Sequence, residues 1–361
     1  ETTMLDPSPV PDHILLACAR EQFGRPASAI TFLPLGYDAN AWAYRLEAAE
    51  PVFLKVRRGP AALPGLLAPR YVRDHGIDGV LAPLPTRDGD LWATLGDFTV
   101  TLQPFAAGRD AWDSGLSDAQ WEAFGELLRR VHDLPVPDDL AAHLVVEQFI
   151  PDYLEYMPEL TARVHGPPPD DPPAAELVAC WREHEATIDA LLHHAAALGE
   201  RLRRAGLPRV LCHADAHLGN VLSGDDGRLW LIDWDGAAVA PRERDLMFVI
   251  GGIAAGQVGP RQTELFRRGY GPVAPDPAAL AYYRCAWALQ DIASFGQQVL
   301  LDDGAGEATR RDALRLFKGS FAPGELTDLA LSSAAQVAES RQRIRSMSIT
   351  IDRNNEAPDV S

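Results

Sequence analysis

Residues 211–236 read LCHADAHLGNVLSGDDGRLWLIDWDG, and the order of side chains in this stretch decides how the rest of the chain is read. Asp215 and Asn220 fall in a short polar loop between apolar segments. Leu229 to Ile232 is a short apolar run of strand character, with Asp233 at its end. Between them, Ser223-Gly224-Asp225-Asp226-Gly227 signals a hairpin turn. A hairpin folds the chain back, so the Asp215 loop and Asp233 are expected side by side. Two carboxylates and an amide gathered in one place are hard oxygen donors of the kind that suit Mg2+, which keeps waters and is completed by substrate phosphates. A carboxylate left beside such a cation can accept the proton of an attacking hydroxyl.

Other chemistries fit the stretch less well. Cys212 precedes His213, but neighbours on a strand point to opposite faces, so a thiol–imidazole pair is not expected and Cys212 reads as buried. His213, Asp215 and His217 have the spacing of a metallohydrolase motif. The further His/Asp cluster that a zinc or dinuclear site needs is missing at usable spacing. Asp225, Asp226 and Asp235 read as turn residues.

Outward from this core the chain changes character once. Ile30–Leu35, Trp42–Leu46, Pro51–Val56, Val80–Leu84, Leu91–Leu95 and Phe98–Gln103 read as strands, and a small antiparallel sheet is expected in the first hundred residues. Asp12–Phe23 reads as a short amphipathic helix. From about Pro104 the pattern turns helical. Ser117 and Gln120 have capping-box spacing, followed by Trp121, Phe124, Leu127, Leu128 and Val131 at helical intervals. GPPPDDPP at 166–173 is a breaker, 174–207 a long helix or helix pair, and 277–301 and 307–345 are helical.

Composition narrows the class. With 361 residues the chain suits two lobes, and 47% hydrophobic residues suit a packed globule. A net charge of −18 argues against a nucleic-acid partner and is compatible with cationic small-molecule acceptors. The best apolar stretch, Leu246–Val258, is too short to span a membrane and reads as core, and no signal-peptide pattern is visible. Four widely spaced cysteines suit reduced thiols. A cytoplasmic protein is therefore expected, with no protein partner implied. Of 33 basic residues only Lys55 and Lys318 are lysine, which draws attention to what a compact ammonium does at residue 55.

The loop His213-x-Asp215-x4-Asn220, followed by Ile232-Asp233-Trp234, resembles the aminoglycoside phosphotransferase family, distant relatives of protein kinases. The resemblance implies an α+β, two-lobed protein-kinase-like fold. A small antiparallel β-rich lobe would occupy 1–103 with a hinge at about 102–106, a larger helical lobe 104–348, and a disordered tail 349–361. It implies ATP or GTP as phosphate donor and Mg2+ as cofactor. Asp215 would orient and deprotonate an acceptor hydroxyl, Asn220 and Asp233 would hold Mg2+, and His213 would tie the loop down. Asp245, in Arg244-Asp245-Leu246, would brace it. Lys55 in PVFLKV resembles the lysine that grips the α/β-phosphates. The turn 36–40, with Asp38 and Asn40, resembles the phosphate-covering loop. Gln103 and Phe105 resemble the hinge that meets adenine.

One departure stands out. Kinases pair this lysine with a Glu on the next helix, yet no Glu occurs from Pro51 to Trp121, and Pro60, Pro64 and Pro69 are expected to shorten any helix there. Asp74 or Asp233 would have to serve, or nucleotide alone would hold Lys55. Segments 38–44, 217–220 and 240–248 resemble those of spectinomycin phosphotransferases, which implies an antibiotic acceptor, with Asp152, Glu155 and Asp291 as candidate contacts to a cationic sugar. The alternatives are a metabolic kinase acting on choline, a sugar or an amino alcohol, and a weakly active nucleotide-binding regulator.

Overall fold

Pattern and packing agree closely in the strands that carry Lys55. The computed structural model describes residues 7–35, 40–254, 256–302 and 306–355; Asp38 and the tail residues 356–361 lie outside them. Helix α1 (Asp12–Glu21) precedes β1 (Ala29–Leu33), β2 (Ala41–Glu47) and β3 (Val52–Arg58); helix α2 (Leu63–Asp74) leads to β4 (Ala93–Leu95) and β5 (Phe98–Pro104). These strands form one antiparallel sheet in the order β1-β2-β3-β5-β4. In β3, Val52, Leu54 and Val56 are buried and join Leu46, Val100, Leu102 and Leu15 of α1 in one apolar cluster. Alternation then puts Lys55 on the opposite face, with Ala43 and Thr101 as its neighbours in register.

Two expectations fail here for physical reasons. Residues 80–84 do not form a strand; Val80 makes a single bridge to Leu231 and the Leu84 amide donates to the Leu102 carbonyl at 2.7 Å. Pro83 and Pro85 cannot donate to a ladder. Helix α2, by contrast, runs 12 residues despite its prolines. Pro64 sits in the first turn, where no donor is needed, and the buried face of Leu66, Ala68, Pro69 and Val72 outweighs the hydrogen bond lost at Pro69.

The chain continues through β6 (Arg109–Asp110), α3 (Ala111–Ser114), α4 (Asp118–His132), α5 (Asp138–Ala141), β7 (Val145–Val146), α6 (Met157–His165), α7 (Pro172–Glu183) and α8 (Glu185–Ala205). Then come β8 (Val210–Cys212), β9 (Val221–Ser223), β10 (Leu229–Leu231), β11 (Ala238–Ala240), α9 (Glu243–Leu246), α10 (Pro260–Tyr270), α11 (Pro277–Leu300), α12 (Glu307–Gly319) and α13 (Leu326–Asn355). β9 and β10 are the expected hairpin, and β9 pairs further with β6; β7, β11 and β8 make another small sheet. The Ser117/Gln120 capping box is present on α4, and Trp121, Phe124, Leu127, Leu128 and Val131 are buried. Helices α4 and α10 approach so closely that a Cβ at Gly125 or Gly269 would overlap the facing backbone carbonyl.

The chain divides into two compact units, one of 1–147, 208–249 and 259–273, the other of 148–207, 250–258 and 274–361. The first holds the five-stranded sheet and all the strands from residues 211–236. The second is helical. In it, Asp171 caps α7 by accepting from the Ala174 amide and receives two hydrogen bonds from Arg310 of α12. The breaker at 166–173 is thus a helix start, and 174–207 is a helix pair divided at His184.

Candidate active site

The loop after β8 is held from beneath by one buried carboxylate. Asp245 accepts from the backbone amides of His213 at 2.9 Å and Ala214 at 2.6 Å, and from His132 Nε2 at 2.9 Å. The carboxylate can only accept, so His132 carries its proton on Nε2, while its Nδ1 meets the Tyr270 hydroxyl at 2.7 Å. Burial pushes the Asp245 carboxyl up, but the His132 hydrogen bond and the neighbouring groups outweigh it, and its pKa lies below the ordinary value. The two-amide grip holds Ala214 in the left-handed region at φ 68°, a conformation that costs a residue with a Cβ on the order of 1 kcal/mol or more.

Both histidines of the loop have an assignable tautomer. His213 Nε2 donates to the Ile232 carbonyl at 2.8 Å and its Nδ1 accepts from the Asp215 amide at 3.2 Å. This links the loop to the end of β10, one residue before Asp233. His217 Nδ1 accepts from the Gly219 amide at 3.0 Å, so its proton sits on Nε2, 3.3 Å from Asp215 Oδ1. Asn220 directs Nδ2 at the Asp215 carbonyl, 2.8 Å, and at Asp215 Oδ2, 2.9 Å. Asn220 thereby orients one oxygen of the Asp215 carboxylate, and the His217 ring lies beside the other. Cys212 is buried against the Ala240 and Pro241 carbonyls, and burial pushes its thiol well above the ordinary value, so no thiolate chemistry arises there.

Burial holds both loop imidazoles below their ordinary pKa, His217 at about 4. A depressed folded-state value means that the unfolded chain binds protons which the folded chain refuses. The associated stability is full above about pH 6.5, the ordinary histidine value, and drains away as pH falls toward 4. Urea unfolding at pH 7.5, 6 and 5 is expected to show stability falling by a few kcal/mol across this window, with a flatter dependence in His217→Gln.

The Asn220 amide is fixed by its two oxygen acceptors, which turns Oδ1 the other way; among the described residues no donor reaches it. Asp233 opens the turn after β10 in a left-handed conformation, φ 60°, makes no side-chain cap, and is half exposed. Backbone strain of this kind at a polar residue is a mark of functional positioning. An amide oxygen and an exposed carboxylate are the hard donors a divalent cation such as Mg2+ takes, so the residues present fit that ion.

Lys55 has a partner that the sequence reading missed. Its Nζ is 2.9 Å from Asp235 Oδ2 and 3.9 Å from Asp233 Oδ1. Asp235 is therefore not a mere turn residue, and Asp74 is engaged by Arg70 instead. Burial pulls the Lys55 pKa down, but Asp233 and Asp235 outweigh it and raise it above the ordinary value, so the ammonium stays charged. Gln103 lies at the end of β5, opposite Phe53. The Phe105 amide donates to the Pro51 carbonyl at 3.1 Å, and Arg45 lies over its ring. Asn40 is exposed in the turn before β2, and its carbonyl accepts from the Arg58 amide.

The structure thus gathers Asp215, Asn220, Asp233, Lys55, His213 and Asp245 in the first unit. Asp152, Glu155 and Asp291 belong to the second: the Asp152 side chain is outside the described residues, Glu155 is exposed, and the Asp291 carboxyl on α11 is pushed up to about 7 by burial. A cavity of about 740 Å³ elsewhere in the first unit, bordered by Arg70, Arg73 and Trp230, touches none of the candidate residues.

Comparison with known proteins gives a consistent answer. The model of the phosphotransferase enzyme family matches residues 29–283. Protein StrN of Streptomyces griseus is 28% identical over 283 residues, 74% of this chain and 78% of that protein. The crystal structure of spectinomycin phosphotransferase APH(9)-Ia in complex with ADP and spectinomycin is similar with a TM-score of 0.82 and 28% identity, covering 90% of this chain and 99% of that one. Plasmodium vivax ethanolamine kinase, at 12% identity and a TM-score of 0.53 over 84% and 83% of the two chains, shares the α+β, kinase-like fold.

Proposed function

The chain belongs to the phosphotransferase enzyme family, a kinase-like group acting on hydroxyl acceptors, and from that premise we propose that it moves the γ-phosphoryl group of ATP onto a hydroxyl of an aminocyclitol or aminoglycoside antibiotic such as spectinomycin. The observation that carries the acceptor is the likeness to a spectinomycin phosphotransferase over nine-tenths of the chain. What supports the chemistry is the Asp215 carboxylate, oriented through Oδ2 by Asn220 with the His217 ring beside Oδ1.

In this reading the acceptor hydroxyl hydrogen-bonds to Asp215. As its oxygen bonds to the γ-phosphorus, the bond to the β-phosphate oxygen breaks, ADP leaves, and the hydroxyl proton passes to the carboxylate. Lys55 offsets charge on the α/β-phosphates. Asn220 Oδ1 and the Asp233 carboxylate would hold Mg2+, which when bound neutralises charge developing on the phosphates. His213 and Asp245 keep the loop in place. Gln103 and Phe105 would meet adenine, and Asp38 and Asn40 the phosphates. Asp152, Glu155 and Asp291 are the acids proposed to meet the amines of the acceptor. A cation beside Asp291 would offset the burial that raises its pKa to about 7.

The regulator reading loses its motive, because Lys55 does have an anionic partner. A cytoplasmic setting is part of the proposal, because ATP is the donor it invokes; the four cysteines are free, and among the described residues no helix is long and apolar enough to cross a membrane. The test is ADP release with Mg2+ and ATP. Spectinomycin is expected to raise it above the acceptor-free rate and choline, ethanolamine and simple sugars are not; stimulation by choline alone would move the assignment to a metabolic kinase. A raised inhibitory concentration of spectinomycin in a susceptible bacterium expressing the protein tests the resistance role.

A further inference from the structure

In this fold the acid that holds the phosphate-gripping lysine is expected on the helix after β3. Helix α2 offers none: its only acid is Asp74, at its last position, and that carboxylate is taken by Arg70. At the point where α2 passes the turn 234–236 it carries Gly65. A Cβ built there would overlap Asp235 Oδ1 and come within 3.0 Å of its Cγ. The space a side chain would fill on the helix is filled by a carboxylate from the other direction.

That carboxylate sits between two cations, with Lys55 Nζ at 2.9 Å and Arg57 NH1 at 3.7 Å from Oδ2. The preceding residue, Trp234, is tied to β10 by its indole, whose Nε1 donates to the Leu231 carbonyl at 3.0 Å. We propose that Asp235 is the positioning residue for Lys55, replacing a helix-borne acid, and that Gly65 is the gap in α2 that admits it. The inference rests on the phosphotransferase reading and is independent of which acceptor is used.

The placement has a consequence for the neighbouring residue. Asp233 Oδ1 is the other carboxylate oxygen within ion-pair reach of Lys55, at 3.9 Å, and Asp233 is a candidate ligand for Mg2+. With Asp235 present, the ammonium lies nearer Asp235, at 2.9 Å, than the proposed cation ligand Asp233, at 3.9 Å. Without it, the ammonium is drawn to Asp233 and competes with the cation for that carboxylate.

The test uses the full chain and reads binding of a non-hydrolysable ATP analogue with Mg2+ by calorimetry, with no acceptor present. Asp235→Asn and Asp235→Ala are expected to weaken analogue binding roughly tenfold. They should also raise KM for ATP and the Mg2+ concentration needed for half-maximal rate, while KM for the acceptor and the unfolding midpoint stay near wild type. Gly65→Ala, which forces Asp235 out with one methyl, should weaken binding in the same direction. The double variant Gly65→Ala with Asp235→Ala should bind no worse than Asp235→Ala alone, because the two changes remove one contact. Unchanged analogue affinity in the Asp235 variants overturns the assignment. So does a loss spread equally over acceptor KM, nucleotide KM and unfolding midpoint, which is the signature of general structural damage. Failure of the wild-type chain to bind the analogue would overturn the phosphotransferase reading itself, a result distinguishable from either.

Discussion

Asp215→Ala is expected to lower the rate of phosphoryl transfer by about 10² to 10⁴, on the order of 3–5 kcal/mol of barrier, while ATP binding stays close to wild type. The separation follows from the site. Lys55 stands on β3 and Asp233 just past β10, whereas Asp215 Oδ2 is held within its own loop by Asn220. What the variant removes is the proton acceptor for the attacking hydroxyl. Asp215→Asn is the stricter version, because an amide keeps the size of the group but cannot take a proton. Steady-state rates beside calorimetric ATP binding check both. Transfer within about tenfold of wild type in either variant would assign the proton to another acceptor.

The second large effect concerns stability. Asp245→Ala is expected to lower the unfolding free energy by about 3–5 kcal/mol. Asp245 has no solvent exposure, and three donors converge on it: the His213 and Ala214 amides and His132 Nε2. Removing the acceptor leaves these donors buried and unsatisfied, at about 1–3 kcal/mol each before relaxation. Ala214 also loses the restraint that keeps it left-handed, so the Asp215 loop should relax as well. Asp245→Asn should recover only part of the loss, since its NH2 group faces donors. Urea unfolding at pH 7.5 measures the effect; a loss under about 1 kcal/mol would contradict the brace.

Much of this site could be read from the chain because its parts are local. Asp215, His217 and Asn220 lie within one short loop, and the Gly224–Gly227 turn brings Asp233 back beside it. The alternation in β3 similarly fixes which face Lys55 takes. Of the two acids beside Lys55, Asp233 is named from the sequence as a stand-in, but the nearer Asp235 is not legible, since that ion pair joins residues 180 apart and depends on an absence, the missing side chain of Gly65. No periodicity signals a gap in a helix. The spacing Asp233-Trp234-Asp235 was visible, but a second acid in a turn has no local mark that separates a solvated group from a buried pair. Residues 80–84 depart from the strand pattern for a simpler reason, Pro83 and the adjoining Pro85, whereas α2 survives Pro69 because tertiary burial outweighs one lost hydrogen bond.

ADP release does not distinguish transfer from hydrolysis, so the central claim turns on the product. The most direct measurement is mass spectrometry of spectinomycin after incubation with the protein, ATP and Mg2+, beside Asp215→Ala. A singly phosphorylated spectinomycin with the wild-type chain, and none with the variant, is the predicted result. ADP accumulating with free phosphate and unmodified spectinomycin would contradict it, as would equal phosphorylation by the two proteins.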